Sequence, residues 1–161
     1  MRRTLKKFSI LALLLWSSVA SADLVVKYGG MLPKSSEGLG STKVIFIGRQ
    51  APLYKYLYRE CQLGYWSDGV GGGRYSATIF SYSLGVNVDA GNTFAQASVG
   101  PALISHPDTI LGGVFQFENQ ISFGIKDPKT LASFGVGYVH VSSAGLEQPN
   151  AGRDFLTFRV S

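Results

Sequence analysis

The chain has 161 residues, with 15 Lys and Arg against 10 Asp and Glu, 20 glycines, 12% aromatic residues and a single cysteine. Arg2, Arg3, Lys6 and Lys7 open the chain; taking those four from the fifteen cations leaves eleven against ten acids, a net +1 that offers no basic stripe for phosphates and excludes nucleic acid as a partner. The lone Cys61 rules out an internal disulfide and argues against a cysteine-based metal cluster.

In chain order, residues 1–22 read as a signal peptide. The four cations form its basic end, Phe8 to Val19 its short apolar stretch, and Ala20-Ser21-Ala22 a small-residue cleavage site before Asp23. The residues after Arg2-Arg3 do not complete a twin-arginine signal, so ordinary unfolded export is expected. No later run reaches the roughly 18 apolar residues of a transmembrane helix. A single domain over residues 23–161 is expected.

From Asp23 onward the pattern is alternation, with scarce helix signals. Eight strands are predicted: Leu24 to Gly29, Thr42 to Arg49, Leu57 to Trp66, Tyr75 to Val88, Thr93 to Leu103, Val114 to Ile125, Leu131 to Ser142 and Asp154 to Val160. Pro52 and the tyrosines at 54, 56 and 58 blur the start of the third. In the sixth, Phe115, Phe117, Asn119, Ile121, Phe123 and Ile125 share one face, opposite Gln116, Glu118, Gln120, Ser122 and Gly124. The fourth and seventh divide the same way.

A soluble β-sandwich would bury the large face against a second sheet. A membrane barrel would turn it to lipid and fill a narrow interior with small and polar groups, among them Glu118 and Arg159 as a candidate ion pair. Strand lengths near the 9–11 residues of a tilted membrane strand favour the barrel. Loop lengths agree: the connections at 30–41, 67–74, 104–113 and 143–153 are long, whereas 89–92 and 126–130 are tight turns. That is the asymmetry of outer-membrane barrels, long outside and short in the periplasm. The expected fold is therefore all-β: an eight-stranded antiparallel transmembrane β-barrel, with Tyr65 and Trp66 in an interfacial aromatic girdle.

The last hairpin carries the chemistry. His140 and Ser142 lie on one face of a strand, about 7 Å apart at Cα. The turn residues that follow fold the chain back so that Asp154 comes opposite His140, with Cβ atoms about 5 Å apart if the register is right. Hydroxyl, imidazole and carboxylate then stand in the order an activated serine needs. Taken alone, a His-x-Ser pair on a strand is a common accident. On a lipid-facing row, however, unpaired polar groups are costly, and mutual hydrogen bonding or substrate contact is their expected reason. His106, between Ser105 and Pro107, reads as a solvated loop residue, and Gly71-Gly72-Gly73 as a flexible loop with no helix to make it a phosphate cradle.

The run His140-Val-Ser-Ser-Ala-Gly-Leu-Glu-Gln-Pro-Asn-Ala-Gly-Arg-Asp154 resembles the outer-membrane lipid A 3-O-deacylases, and the likeness extends to Leu63-Gly-Tyr-Trp-Ser-Asp68 and Phe117-Glu118-Asn119. The resemblance implies an esterase in the outer membrane of a Gram-negative bacterium, acting on the acyl chain at position 3 of lipid A in lipopolysaccharide. It implies Ser142 as nucleophile, His140 as base, Asp154 as the acidic member and Asn150 as an oxyanion donor, with no metal and no cofactor. Partners implied are lipid A and outer-membrane lipids, with monomer and homodimer both left open. The sequence departs from the family at Asp154, where glutamate is usual, at Ser143, where asparagine is common, and at Ser161, where an aromatic usually ends the chain. A non-catalytic small barrel is the alternative.

Overall fold

The computed structural model describes residues 23–32, 42–67, 76–106, 111–148 and 150–161. The signal peptide read at residues 1–22, the Gly71-Gly72-Gly73 loop and most of the long connections expected at 30–41 and 67–74 lie outside them. The described residues form eight strands: β1 (Asp23–Met31), β2 (Lys43–Tyr54), β3 (Leu57–Ser67), β4 (Ala77–Ala90), β5 (Thr93–Ile104), β6 (Phe115–Lys126), β7 (Ser133–Ser142) and β8 (Arg153–Val160). Each pairs antiparallel with the next, and β8 returns to β1 to close a barrel. Among the described residues there is no second sheet on which a sandwich would depend.

The strand boundaries shift for local reasons. β2 runs on through Pro52 to Tyr54, with a register shift against β3 between Pro52 and Tyr54, because proline is tolerated in a ladder where the pairing is already irregular. β7 begins at Ser133, two residues later than expected, since Leu131 takes a left-handed φ of 62° that ends regular pairing. In the turn before it, Asp127 accepts the Lys129 N–H at 2.9 Å and the Thr130 hydroxyl at 2.9 Å. Those bonds hold its carboxyl below the usual carboxylate range, so what they add to stability is present above the ordinary pKa and is lost as pH falls through the lowered one.

The period of two sorts residues as expected. Leu84, Phe123, Phe134 and Phe158 face outward and are at least half exposed, while Gln116, Glu118, Ser81 and Thr157 are buried inside. Exposure of so continuous an apolar belt marks a surface that hydrocarbon covers.

The lumen is layered. At the end where β7 runs into β8, Val44, Phe46, Trp66, Ile79, Ile104, Val139, Val141 and Phe155 pack into an apolar plug, with the Trp66 and Phe155 rings 5.5 Å apart. Trp66 therefore lies inside, and of the pair assigned to the aromatic girdle only Tyr65 faces out. Small residues make room for the large ones: a Cβ at Gly64 would come within 2.3 Å of the Phe46 ring.

Below the plug lies a polar network. Lys27 Nζ donates to Glu60 Oε1 at 2.5 Å, to Gln62 Oε1 at 2.9 Å and to Gln120 Oε1, and Gln62 Nε2 donates to both Glu118 oxygens at 2.6 Å. Ser81 completes it with a hydroxyl 3.2 Å from Glu118. The expected Glu118–Arg159 pair does not form. Register explains why: Glu118 pairs with Val141 and Arg159 with Gly135, levels about 20 Å apart along β7 at the usual strand rise. Lys27 and Glu60 form an ion pair inside the barrel. Arg159 instead donates to Gln50 at 2.6 Å and to Ser133 at 3.4 Å, with its guanidinium 5.2 Å from the Phe94 ring centre, beside a cavity of about 230 Å³ at the far end of the barrel.

Removing Lys27 alone leaves Glu60 buried without its cation. Lys27→Met is expected to lower unfolding stability by about 3 kcal/mol, read as an earlier denaturant midpoint in detergent, and Lys27→Met with Glu60→Gln to recover most of the loss. Equal midpoints for wild type and Lys27→Met would contradict the network's role.

Candidate active site

Near the plugged end, the outer wall carries a polar cluster at the top of three neighbouring strands. On β7 the buried Val139 and Val141 alternate with Tyr138, His140 and Ser142, which therefore face outward and are partly exposed. On β8, Asp154 opens the outward row that continues as Leu156, Phe158 and Val160. Register sets His140 directly opposite Asp154 on one side and opposite Asn119 of β6 on the other.

The imidazole and the carboxylate meet. His140 Nδ1 lies 2.6 Å from Asp154 Oδ1, with the imidazole 31% and the carboxylate 18% exposed. An ionised carboxylate only accepts, so Nδ1 carries the proton of this hydrogen bond. The aspartate's shorter reach is thus sufficient for the contact. Ser142 shares the face, two residues along, and among the described residues its hydroxyl makes no hydrogen bond to the imidazole. Catalytic hydrogen bonds are often long or unformed until substrate is bound.

The loop after Ser142 is held by local turn chemistry. Ala144 and Gly145 both have positive φ, 54° and 84°, and Leu146 N donates to Ser143 O at 3.0 Å, the arrangement of a type I′ turn. Ser143 is fully buried, and its hydroxyl donates to Glu147 O at 3.0 Å. Its own N–H is taken by Asn150 Oδ1 at 2.9 Å. This contact decides what Asn150 can offer. The carbonyl side is used to fasten the loop, so its Nδ2 is the donor it has for a ligand, and the Ser143 amide beside the serine is already engaged.

Two residues escaped the sequence reading. Tyr138 Oη donates to the same Asp154 oxygen, at 2.5 Å; it stood in the outward row one step before His140, and only the diagonal reach across the strand pair was needed to find it. Gly152, at φ 68°, lies against the imidazole: a Cβ there would meet His140 Cε1 at 2.7 Å and Nε2 at 3.3 Å. Its signal was a glycine two residues before the acid, at the point where a turn must re-enter a strand. His106 is exposed, its Nδ1 3.1 Å from Ser105 Oγ, as a loop residue should be. Cys61 is buried and unpaired.

Known proteins share this architecture. The family model described as lipid A 3-O-deacylase (PagL) matches residues 50–161. The lipid A deacylase PagL of Pseudomonas aeruginosa is 35% identical over 102 residues, which are 59% of this chain and 57% of that protein's length. The crystal structure of the outer membrane enzyme PagL superposes with a TM-score of 0.68 at 24% identity, covering 86% of this chain and 97% of that one. At that identity the superposition speaks for the fold alone.

The packing of Gly152 on the ring yields a direct test. Gly152→Ala combines a left-handed backbone, costing roughly 1–2 kcal/mol for an L-residue, with a clash on the imidazole. The expected result is loss of the low-field Nδ1–H proton signal of the His140–Asp154 hydrogen bond in the folded barrel. An unchanged signal would show that the ring does not depend on this glycine.

Proposed function

The chain belongs to the lipid A 3-O-deacylase (PagL) family, and from that premise we propose that it is a serine esterase of the outer leaflet of the outer membrane. Its substrate on this reading is lipid A, and the bond cut is the ester holding the 3-hydroxyacyl chain at position 3 of the sugar. The observation that carries the proposal is the His140–Asp154 hydrogen bond at 2.6 Å on the outward wall, with Ser142 on the same face. Such a group of polar side chains on a lipid-facing surface has a physical reason there if the substrate is itself a lipid.

The steps follow from the groups present. His140 Nε2 takes the Ser142 proton as Oγ attacks the ester carbonyl, and Asp154 stabilises the imidazolium that forms. Negative charge collects on the former carbonyl oxygen, where Asn150 Nδ2 donates; loss of one such donor typically costs about 10²–10³ in rate. Collapse breaks the acyl carbon–sugar oxygen bond, and the imidazolium returns its proton to the departing sugar hydroxyl. Water, deprotonated by His140, then attacks the acyl-serine and releases the 3-hydroxy fatty acid and free Ser142. All the named groups come from one chain, so one copy is sufficient.

The outward site also answers the question of access. Lipid A reaches Ser142 by lateral diffusion within its leaflet, and its acyl chains lie along the apolar rows below the cluster: Ile121 and Phe123 on β6, Val136 on β7, Leu156 and Phe158 on β8. No chain need leave the hydrocarbon for the reaction to occur. Export of the chain by removal of residues 1–22 belongs to the same proposal.

Lipid A extracted from cells expressing the wild type should be lighter by one 3-hydroxyacyl chain, whereas Ser142→Ala cells should keep it at the same level of folded barrel. Identical mass spectra for the two would reject the esterase and favour a non-catalytic barrel.

A further inference from the structure

Tyr138 is an outward-facing phenol that the proposed steps do not use. It pairs across the strands with Leu156 and Ile121, so its ring belongs to the apolar belt. Its hydroxyl leaves that belt and reaches diagonally to Asp154, on the next outward position of β8, where it donates to Oδ1 at 2.5 Å. The same oxygen accepts His140 Nδ1–H at 2.6 Å. One carboxylate oxygen thus gathers two donors from two successive outward positions of β7.

We propose that Tyr138 is a positioning residue of this site: its hydroxyl locks the Asp154 carboxylate in the orientation that holds the His140 ring, and draws off part of the carboxylate's negative charge. The inference rests on the esterase reading for its kinetic consequences, though not for its geometry. Three observations carry it. Aspartate has a short side chain with two rotatable bonds, and a donor on each side of one oxygen leaves it little freedom. The wall around it is apolar, where a charge-assisted hydrogen bond is worth more than in water. Tyrosine is suited to the place, since it buries an apolar ring in a lipid-facing row and presents a polar tip to the cluster.

Among the described residues, register and the loop place six groups around the imidazole. Asp154 comes from β8, Tyr138 and Ser142 from β7, Asn119 and Phe117 from β6, and Gly152 from the loop. Among them only Asp154 and Tyr138 titrate, besides the ring itself. Removing the Tyr138 hydroxyl therefore has a definite sign. The carboxylate, no longer sharing its charge with the phenol, stabilises the imidazolium more strongly, so the neutral base is available only at higher pH. The carboxylate also holds the ring less firmly in its working orientation while the bond to Nδ1–H persists, which slows turnover.

The test is Tyr138→Phe, which keeps the ring and its packing, beside Tyr28→Phe, which removes an exposed phenol from the outward face of β1. Both variants should retain the wild-type barrel, checked by heat-modifiable gel migration. For Tyr138→Phe, kcat should fall about tenfold, the loss expected from one hydrogen bond to a charged group, with KM within twofold. The acid limb of its kcat/KM profile should move to higher pH, and so should the titration of the His140 ring signal, which is simple to assign because the chain has two histidines. Tyr28→Phe should match wild type in every readout. A wild-type kcat and pH profile in Tyr138→Phe, or a loss confined to KM, would overturn the positioning role. If the wild type hydrolyses no lipid A, the esterase reading fails, while the ring titration still decides whether Tyr138 acts on Asp154 and His140.

Discussion

The candidate site depends on the register of one strand pair. With a side-chain period of two, a slip of a single residue between β7 and β8 would send Asp154 into the lumen and leave His140 facing lipid without its carboxylate. Closure of the barrel prevents that slip, because β8 is held on both sides, by β7 and by β1. Neighbouring packing reinforces it: Phe155, beside Asp154, is wholly buried in the apolar plug against Phe46 and Trp66. To move Asp154 inward, the fold would have to expose that ring.

The barrel separates two kinds of polar group. Inside, Lys27, Glu60, Gln62, Glu118 and Gln120 satisfy one another away from solvent, and they fill and fix the middle of the lumen. Outside, Tyr138, His140 and Asp154 form a short chain of hydrogen bonds ending at one oxygen. Each polar group on the wall is costly without a partner. Pairing them through Asp154 lowers that cost and fixes the imidazole tautomer in one stroke. The plug just inside the wall gives the site a rigid backing, since Val139 and Val141 anchor the very strand that displays His140 and Ser142.

Much of the architecture was legible because it follows from alternation. The eight strands, their faces and the meeting of His140 with Asp154 need only a period of two and a hairpin. What alternation does not encode is level along the barrel axis, which depends on the register of every pair around the closed sheet. Glu118 and Arg159 share the lumen yet stand far apart along it, and Lys27 forms an ion pair there with Glu60 instead. Trp66 illustrates a second limit: an aromatic next to Tyr65 suggests a girdle, but adjacent residues on a strand face opposite ways, and one of the two had to enter the plug. The engagement of Asn150 with the Ser143 amide, and of Gly152 with the imidazole, depends on loop closure that residue spacing does not specify. Resemblance to the deacylases, and not alternation, is what implied an oxyanion role for Asn150.

The central claim is that Ser142, on the outer wall, is a nucleophile made reactive by His140 and Asp154. Its most direct measurement is intact-mass analysis of the folded barrel after exposure to a fluorophosphonate, with the modified residue located by peptide mapping. The account predicts one phosphonyl adduct, carried by Ser142 and lost in His140→Ala. Absence of an adduct in the folded wild type, or an adduct on another residue with Ser142 untouched, would contradict it.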